Sequence, residues 1–356
     1  MGAFRRGFGN RSPLVLVAAG LLLVPALLGV RAVFATGAWT DVPMKYWMRK
    51  SSDDYMYVSW SVGRAKREQP DLPSFYLLGG STAREAIVSG ADLASAIDAA
   101  GGPSCVAWDL GSMNQNFAQS LAIVDNVPAR EDAWIVIGLR LGRFTSDRGA
   151  SMKQAEGREL LLPSPYLRRY VAREYGKYTY SDTILPGAFS YPTSYLQQHG
   201  TTLLGGHLPT RTYGQHRYNL KHNHTVAEKE RMVRVWNTRW YKKFERHLEF
   251  HLAMLEQVLT RCRERGLHPV LLELPLNRDL VGDRLDHAAA QYQGPVRALA
   301  AEYHAPYLDF NDEVAIPNGY FHDLSHLAEP GRVIWQAELA RRLAALYDDD
   351  ALGGTL

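Results

Sequence analysis

Ser74-Phe75-Tyr76-Leu77-Leu78-Gly79-Gly80-Ser81-Thr82-Ala83-Arg84-Glu85 is the stretch that decides the fold. Its first five residues make an uncharged, mostly apolar run, short for a helix and right for a buried strand. Two glycines then let the backbone turn sharply, and a small hydroxyl residue follows where a helix is expected from about Thr82. A buried strand that turns through glycine into a helix is the opening of a parallel α/β unit.

Working outward, the same pattern recurs. Cys105-Val106-Ala107-Trp108 reads as a second strand, followed by a glycine turn and a helix over about 116–127. Ala133-Trp134-Ile135-Val136-Ile137-Gly138-Leu139 reads as a third. A long helix over about 240–265 leads into Pro269-Val270-Leu271-Leu272-Glu273-Leu274, the fourth. Pro306-Tyr307-Leu308-Asp309 is a short fifth, and 330–347 reads as a closing helix. Strands alternating with helices at this spacing predict an α/β fold of three α/β/α layers, with a flavodoxin-like parallel sheet of about five strands. In such sheets ligands gather at the carboxyl ends of the strands. Between about 144 and 240 the alternation stops, and roughly a hundred residues is too long for a plain loop, so an inserted cap is expected there.

Upstream, residues 12–30 carry no charge and follow Arg5, Arg6 and Arg11. As a helix they would span roughly 28 Å, close to the hydrocarbon core of about 30 Å. The basic flank predicts a cytoplasmic N-terminus, with everything after Arg31 outside the cytoplasm. The alternative is a cleaved secretory signal, since Phe34-Ala35-Thr36-Gly37-Ala38 offers small residues near the right place. The expected organisation is a cytoplasmic tail (1–11), a transmembrane anchor (12–35), a stalk and lead-in helix (36–72), two parts of the α/β domain (73–144 and 240–350), and the inserted cap (145–239). A net charge of +3, evenly spread, argues against nucleic acid as a partner. Cys105 and Cys262 are too few for a disulfide framework and read as free thiols, with a single bridge the alternative.

Three constellations carry chemistry. Ser81 sits at the strand-to-helix turn, where free amides and the partial positive charge of a helix start suit a developing oxyanion. The competing reading is that Ser81 only caps its helix. Phe321-His322-Asp323-Leu324-Ser325-His326-Leu327 places an Asp and a His three residues apart on a tight turn. There a carboxylate can orient an imidazole, as a serine triad requires. His322 is expected to point elsewhere, and a metal held by His322, Asp323 and His326 lacks a further ligand at helical spacing. Asp109-Leu110-Gly111-Ser112-Met113-Asn114-Gln115-Asn116 supplies a glycine amide and Asn side chains as candidate oxyanion donors.

An early strand-turn serine, a strand-turn glycine and a late Asp-x-x-His before the last helix resemble the SGNH (GDSL-like) hydrolase and acyltransferase superfamily. The resemblance covers about 73–144 and 240–347. It implies Ser81 as nucleophile, Gly111 as an oxyanion donor, His326 as base and Asp323 as its orienting partner. The family's third block supplies an oxyanion Asn, whereas this chain reads Gly138-Leu139-Arg140-Leu141-Gly142-Arg143 there. Either Asn114 or Asn116 substitutes, or backbone amides and Arg140, a candidate substrate-binding residue, serve. The anchored layout is similar in outline to the branch handling cell-envelope acyl groups, as in teichoic-acid D-alanylation and alginate O-acetylation.

These readings predict an extracytoplasmic serine esterase or O-acyltransferase that needs no cofactor. Its partners would be a cell-envelope polysaccharide or lipid-linked glycan, the membrane, and an acyl donor that a membrane acyltransferase supplies. The alternatives are a non-catalytic glycan-binding or assembly protein, and a lipase or thioesterase. Tyr213, His216, Arg217, Tyr218, His222 and His224 make a polar-aromatic cluster that reads as a glycan groove or a surface loop. Arg231, Arg234, Arg239, Lys242 and Lys243 suggest a basic helical face. Trp236 and Trp240, four residues apart, read as helix packing.

Overall fold

The computed structural model describes residues 13–48, 53–156, 160–176 and 223–351. The expected parallel sheet is present. Its strands are β1 (Ser74–Gly79), β2 (Val106–Gly111), β3 (Ala133–Leu139), β4 (His268–Glu273) and β5 (Tyr307–Leu308), in the order β2-β1-β3-β4-β5 with every neighbouring pair parallel. The chain leaves β1 for one edge and then returns to its other side. The reversal opens a crevice at the carboxyl ends of β1 and β3.

The helices explain why the strands are largely apolar. In chain order they are α1 (Pro13–Ala35), α2 (Asp54–Glu68), α3 (Ser81–Arg84), α4 (Gly90–Ala99), α5 (Phe117–Val124), α6 (Arg148–Glu156), α7 (Pro165–Glu174), α8 (Val226–Val235), α9 (Tyr241–Glu264), α10 (Arg278–Val281), α11 (Asp286–Glu302) and α12 (Glu329–Ala351). Successive strand residues point to opposite faces. Tyr76, Leu78, Ile135, Ile137 and Leu271 therefore join one core with α2, α5, α9 and α11. Phe75, Leu77, Trp134, Val136, Val270 and Leu272 join the other with α4 and α12. Each face is covered, so every position of β1 and β3 is buried, while β2, β4 and the short β5 keep partly buried positions.

α1 contains the single candidate membrane span among the described residues: Val17–Ala35, with mean hydropathy 2.2 and 6% of it buried. The segment after it packs rather than standing off as a stalk. Phe34, Trp39, Met48 and Met56 form their own buried cluster, and Val58, Val62 and Ala65 of α2 enter the main core. Within 145–239, α6 and α7 also pack on that core through Met152, Leu167 and Val171. Tyr213, His216, Arg217, Tyr218 and His222 lie outside the described residues. Cys105 and Cys262 are free, and burial pushes their thiols up to about 11 and about 12.

Candidate active site

The turn after β1 is built by close approach. A Cβ on Gly79, whose φ is +157°, would stand 2.6 Å from the Cβ of Ala83. The N-cap of α3 is Gly80, whose carbonyl accepts from the amides of Ala83 (2.9 Å) and Arg84 (3.3 Å). Ser81 is therefore the first helical residue, and its hydroxyl caps nothing. Instead its Oγ lies 2.8 Å from Nε2 of His326.

His326 arrives on a turn closed by the antiparallel bridge between Phe321 and Leu327 and by the His322 amide donating to the His326 carbonyl at 2.8 Å. Inside the turn, Asp323 Oδ1 accepts the amides of Ser325 and His326, each at 2.8 Å. Its Oδ2 lies 2.8 Å from His326 Nδ1. A carboxylate only accepts, so Nδ1 carries the proton and Nε2 is left to accept from the Ser81 hydroxyl. Burial alone would raise the Asp323 carboxyl. The hydrogen bond and charge of His326, with the amides of His326 and Ser325, outweigh that and hold it well below the usual carboxylate range. The His322 carbonyl takes the amide of His224 at 2.9 Å. Among the described residues no group of three or more His, Cys, Asp or Glu is placed to hold a metal ion.

Supports from distant segments hold both halves of the site. Lys229 of α8 is buried and donates to the carbonyl of Phe321 (2.7 Å) and to Asn318 Oδ1 (2.8 Å) and O (3.0 Å). Asn277 donates to the Asp323 carbonyl at 3.2 Å and to Asn318 Oδ1 at 2.9 Å. Beneath Ser81, the buried Arg84 guanidinium pairs with Asp54 and, at 3.0 Å, with Glu85. Arg332 of α12 reaches Glu85 Oε2 at 2.6 Å, while Asp54 Oδ2 also accepts the Met113 amide at 3.0 Å. Two guanidiniums and two carboxylates thus offset each other's desolvation and tie α2, α3, α12 and the loop after β2 together. The adjacent opposite charges Arg84-Glu85 inside an apolar neighbourhood were the one sequence sign of this network.

The oxyanion candidates divide. The Gly111 amide donates to Asp109 Oδ1 at 3.1 Å, and the residue is absent from the cleft lining. A Cβ on Gly111 would stand 2.6 Å from the Arg84 amide nitrogen, so this glycine exists to let α3 lie on β2. Asn116 is likewise engaged elsewhere. Its Oδ1 caps α5 through the Gln119 amide at 2.9 Å, and its Nδ2 donates to the Ser151 carbonyl at 3.0 Å. The Gly111 amide and the Asn116 side chain are thus both already engaged. Asn114, in contrast, is exposed, adopts φ 56° and lines the cleft. Its loop is braced from below, with Arg143 donating to Ser120 Oγ (2.8 Å), Ser120 to Gln115 Oε1 (3.0 Å) and Gln115 to the Leu110 carbonyl (2.8 Å). Burial lowers the Arg143 guanidinium to about 9. Arg140 also lines the cleft and donates to Thr82 Oγ1.

Ser81, His326, Asn114, Arg140, Trp240 and Lys243 all face one open cleft of about 670 Å³. Arg231, Arg234, Arg239, Lys242 and Lys243 are all exposed, which fits a solvated face as well as a basic docking face.

No family model matches this chain, and no curated protein matches it in sequence. Among solved structures, the acetylxylan esterase Axe2 of Geobacillus stearothermophilus matches over 76% of this chain and 93% of its own, at 11% identity and a TM-score of 0.38. A catalytic mutant of Axe2 matches with the same coverage and identity at a TM-score of 0.39. So loose a superposition does not bear on the reaction.

Proposed function

We propose that this chain is a serine-dependent esterase or O-acyltransferase that works on a cell-envelope glycan through an acyl-Ser81 intermediate. The observation that carries this reading is the unbroken series Ser81 Oγ to His326 Nε2 to Asp323 Oδ2, 2.8 Å at each step and open to a cleft. A buried hydroxyl would need only one partner; a hydroxyl bonded to an imidazole that a carboxylate orients is an activated nucleophile.

In the first half-reaction Ser81 Oγ bonds to the carbonyl carbon of an ester while its proton passes to His326 Nε2. The oxyanion meets the Ser81 amide, which has no acceptor within its own helix, and the Asn114 side chain. The intermediate collapses, the bond to the leaving alcohol breaks, and His326 returns its proton to that oxygen. Water or a sugar hydroxyl then attacks acyl-Ser81 and loses its proton to His326; the bond from the acyl carbon to Ser81 Oγ breaks, and His326 returns the proton to that oxygen. Asp323 stays ionised throughout and stabilises the imidazolium.

In this proposal α1 is the membrane anchor, and the basic residues before it keep the tail cytoplasmic and the α/β domain outside. The acceptor or substrate is then an envelope polysaccharide or lipid-linked glycan, with the acyl group delivered by a membrane acyltransferase. The test is labelling with a fluorophosphonate. Wild type should label stoichiometrically and Ser81→Ala not at all; an unlabelled wild type that stays folded sinks the enzyme reading.

A second reading, a non-catalytic glycan-binding or assembly protein, is favoured by the engagement of Gly111 and Asn116 away from the site. Full function of Ser81→Ala in the source cell would decide for it.

A further inference from the structure

α8 does not run straight into α9. The turn Trp236–Trp240 between them is a π-helix, in which the Tyr241 amide bonds the Trp236 carbonyl, five residues back. In a continuous α-helix, residues four apart stack on one face. Across this turn the two tryptophans meet different surroundings. Trp236 stays with the core, its ring 6.0 Å from that of Phe244. Trp240 is 39% exposed and lines the cleft that holds Ser81 and His326. Single π turns of this kind tend to occur where function requires a side chain to be re-aimed.

Leaving a large indole in water forgoes burial that the adjacent core would supply. Lys243, one turn on, places Nζ 4.8 Å from the centroid of the Trp240 ring. The exposed area of Trp240 exists with Lys243 in place, so it is the part of the indole that Lys243 leaves uncovered. Exposed indole surface beside hydrogen-bonding side chains, here Lys243 with Asn114 and Gln154 across the lining, suits one chemistry well. The C–H groups on the face of a pyranose ring carry slight positive charge and lie against the negative face of the indole. The hydroxyls at the sugar's rim then take the polar neighbours.

We infer that Trp240, at the end of the π turn and on the wall of the cleft, is a sugar-ring subsite that holds a pyranose of the glycan chain while Ser81 acts on its acyl group. The subsite deepens the esterase or acyltransferase reading and rests on it for the choice of substrate, but it binds sugar whether or not Ser81 is a nucleophile.

The test uses the full chain in detergent, with acetylated xylo-, gluco- and manno-hexaose as glycan probes and p-nitrophenyl acetate as a small ester lacking a sugar. Trp240→Ala should lower kcat/KM about tenfold more on whichever hexaose is the best substrate than on p-nitrophenyl acetate, while Trp240→Phe keeps most of the activity. An equal fall on both kinds of substrate, or no fall on either, overturns the subsite. Calorimetric titration of the hexaoses into Ser81→Ala separates the two proposals. Binding that disappears when Trp240→Ala is added supports the subsite even if wild type turns over nothing. Absence of binding by all three hexaoses, or binding indifferent to Trp240, overturns it.

Discussion

Replacing Asp323 by Asn should disable the site without unfolding it, for a reason the hydrogen bonds make explicit. Two backbone amides point at Oδ1, each 2.8 Å away, and one ring N–H points at Oδ2. In Asp323→Asn the amide oxygen must take the place of Oδ1, because only an oxygen can accept both amides. The new NH2 then faces His326 Nδ1, which is forced to accept. The imidazole adopts the other tautomer, with its proton on Nε2, and can no longer take the proton of Ser81. The charge is lost as well. With the carboxylate and imidazolium centres about 4 Å apart, somewhat beyond the 2.8 Å contact, and an effective dielectric of about 20, the interaction is worth about 4 kcal/mol. That corresponds to a slowing of roughly a thousandfold. The second-order rate of fluorophosphonate labelling reads this directly and presupposes no natural substrate. Thermal unfolding should shift little, since both amide bonds survive. Labelling within about tenfold of wild type would mean that Asp323 does not set the tautomer, and the reasoning fails.

Gly111→Ala should destabilise the protein by about 1–3 kcal/mol in urea unfolding and slow labelling of Ser81, because its Cβ collides with the backbone of α3 rather than with solvent; an unchanged midpoint would contradict the close-approach role. Lys229→Met strands three acceptors around Asn318 and Phe321 and should cost about 2–4 kcal/mol, with labelling reduced through a loosened Asp323–His326 turn. Full stability in that variant would show that the turn stands without α8. Glu273, buried at the end of β4, has its carboxyl pushed up to about 7, chiefly by burial and also by Asp309, against the hydroxyls of Tyr292 at 2.5 Å and Tyr307 at 2.6 Å. Its folded value lies above its unfolded one, so its contribution is full below about 4.5 and is lost as pH rises to about 7, roughly 3 kcal/mol in all. Glu273→Gln should therefore flatten the fall in unfolding free energy between pH 5 and pH 8, roughly the window of that titration, and an identical slope in both proteins would refute the assignment.

Much of the sheet was legible because its strands are buried on both faces and so appear as continuous apolar runs bounded by glycine, proline or charge. The serine turn and the Asp-x-x-His turn were legible because each is local, with every residue that defines it within a few positions. What binds them is not local. Lys229 reaches the carbonyl of Phe321 from 92 residues away, and Arg332 reaches Glu85 from 247. A lone Lys or Arg on a helix otherwise reads as solvated surface. Gly111 shows a different limit: a glycine that donates to an oxyanion and one that merely lets a helix approach leave the same mark in sequence. Asn116 followed by Gln119 was readable as a capping box, which competes with an oxyanion role. Trp236 and Trp240 keep α-helical spacing in sequence, and no residue between them announces the π turn that they bound. The helix α11 carries Pro295 inside it, which a sequence reading treats as a break.

The most direct test of the central claim is to trap the covalent intermediate. Wild type mixed with p-nitrophenyl acetate, quenched in acid within the first turnover and digested, should yield an acetylated peptide with the acetyl group on Ser81. The adduct should be missing in Ser81→Ala and strongly reduced in His326→Ala. Ester turnover with no adduct at Ser81, or with the acetyl group on another residue, would contradict the account.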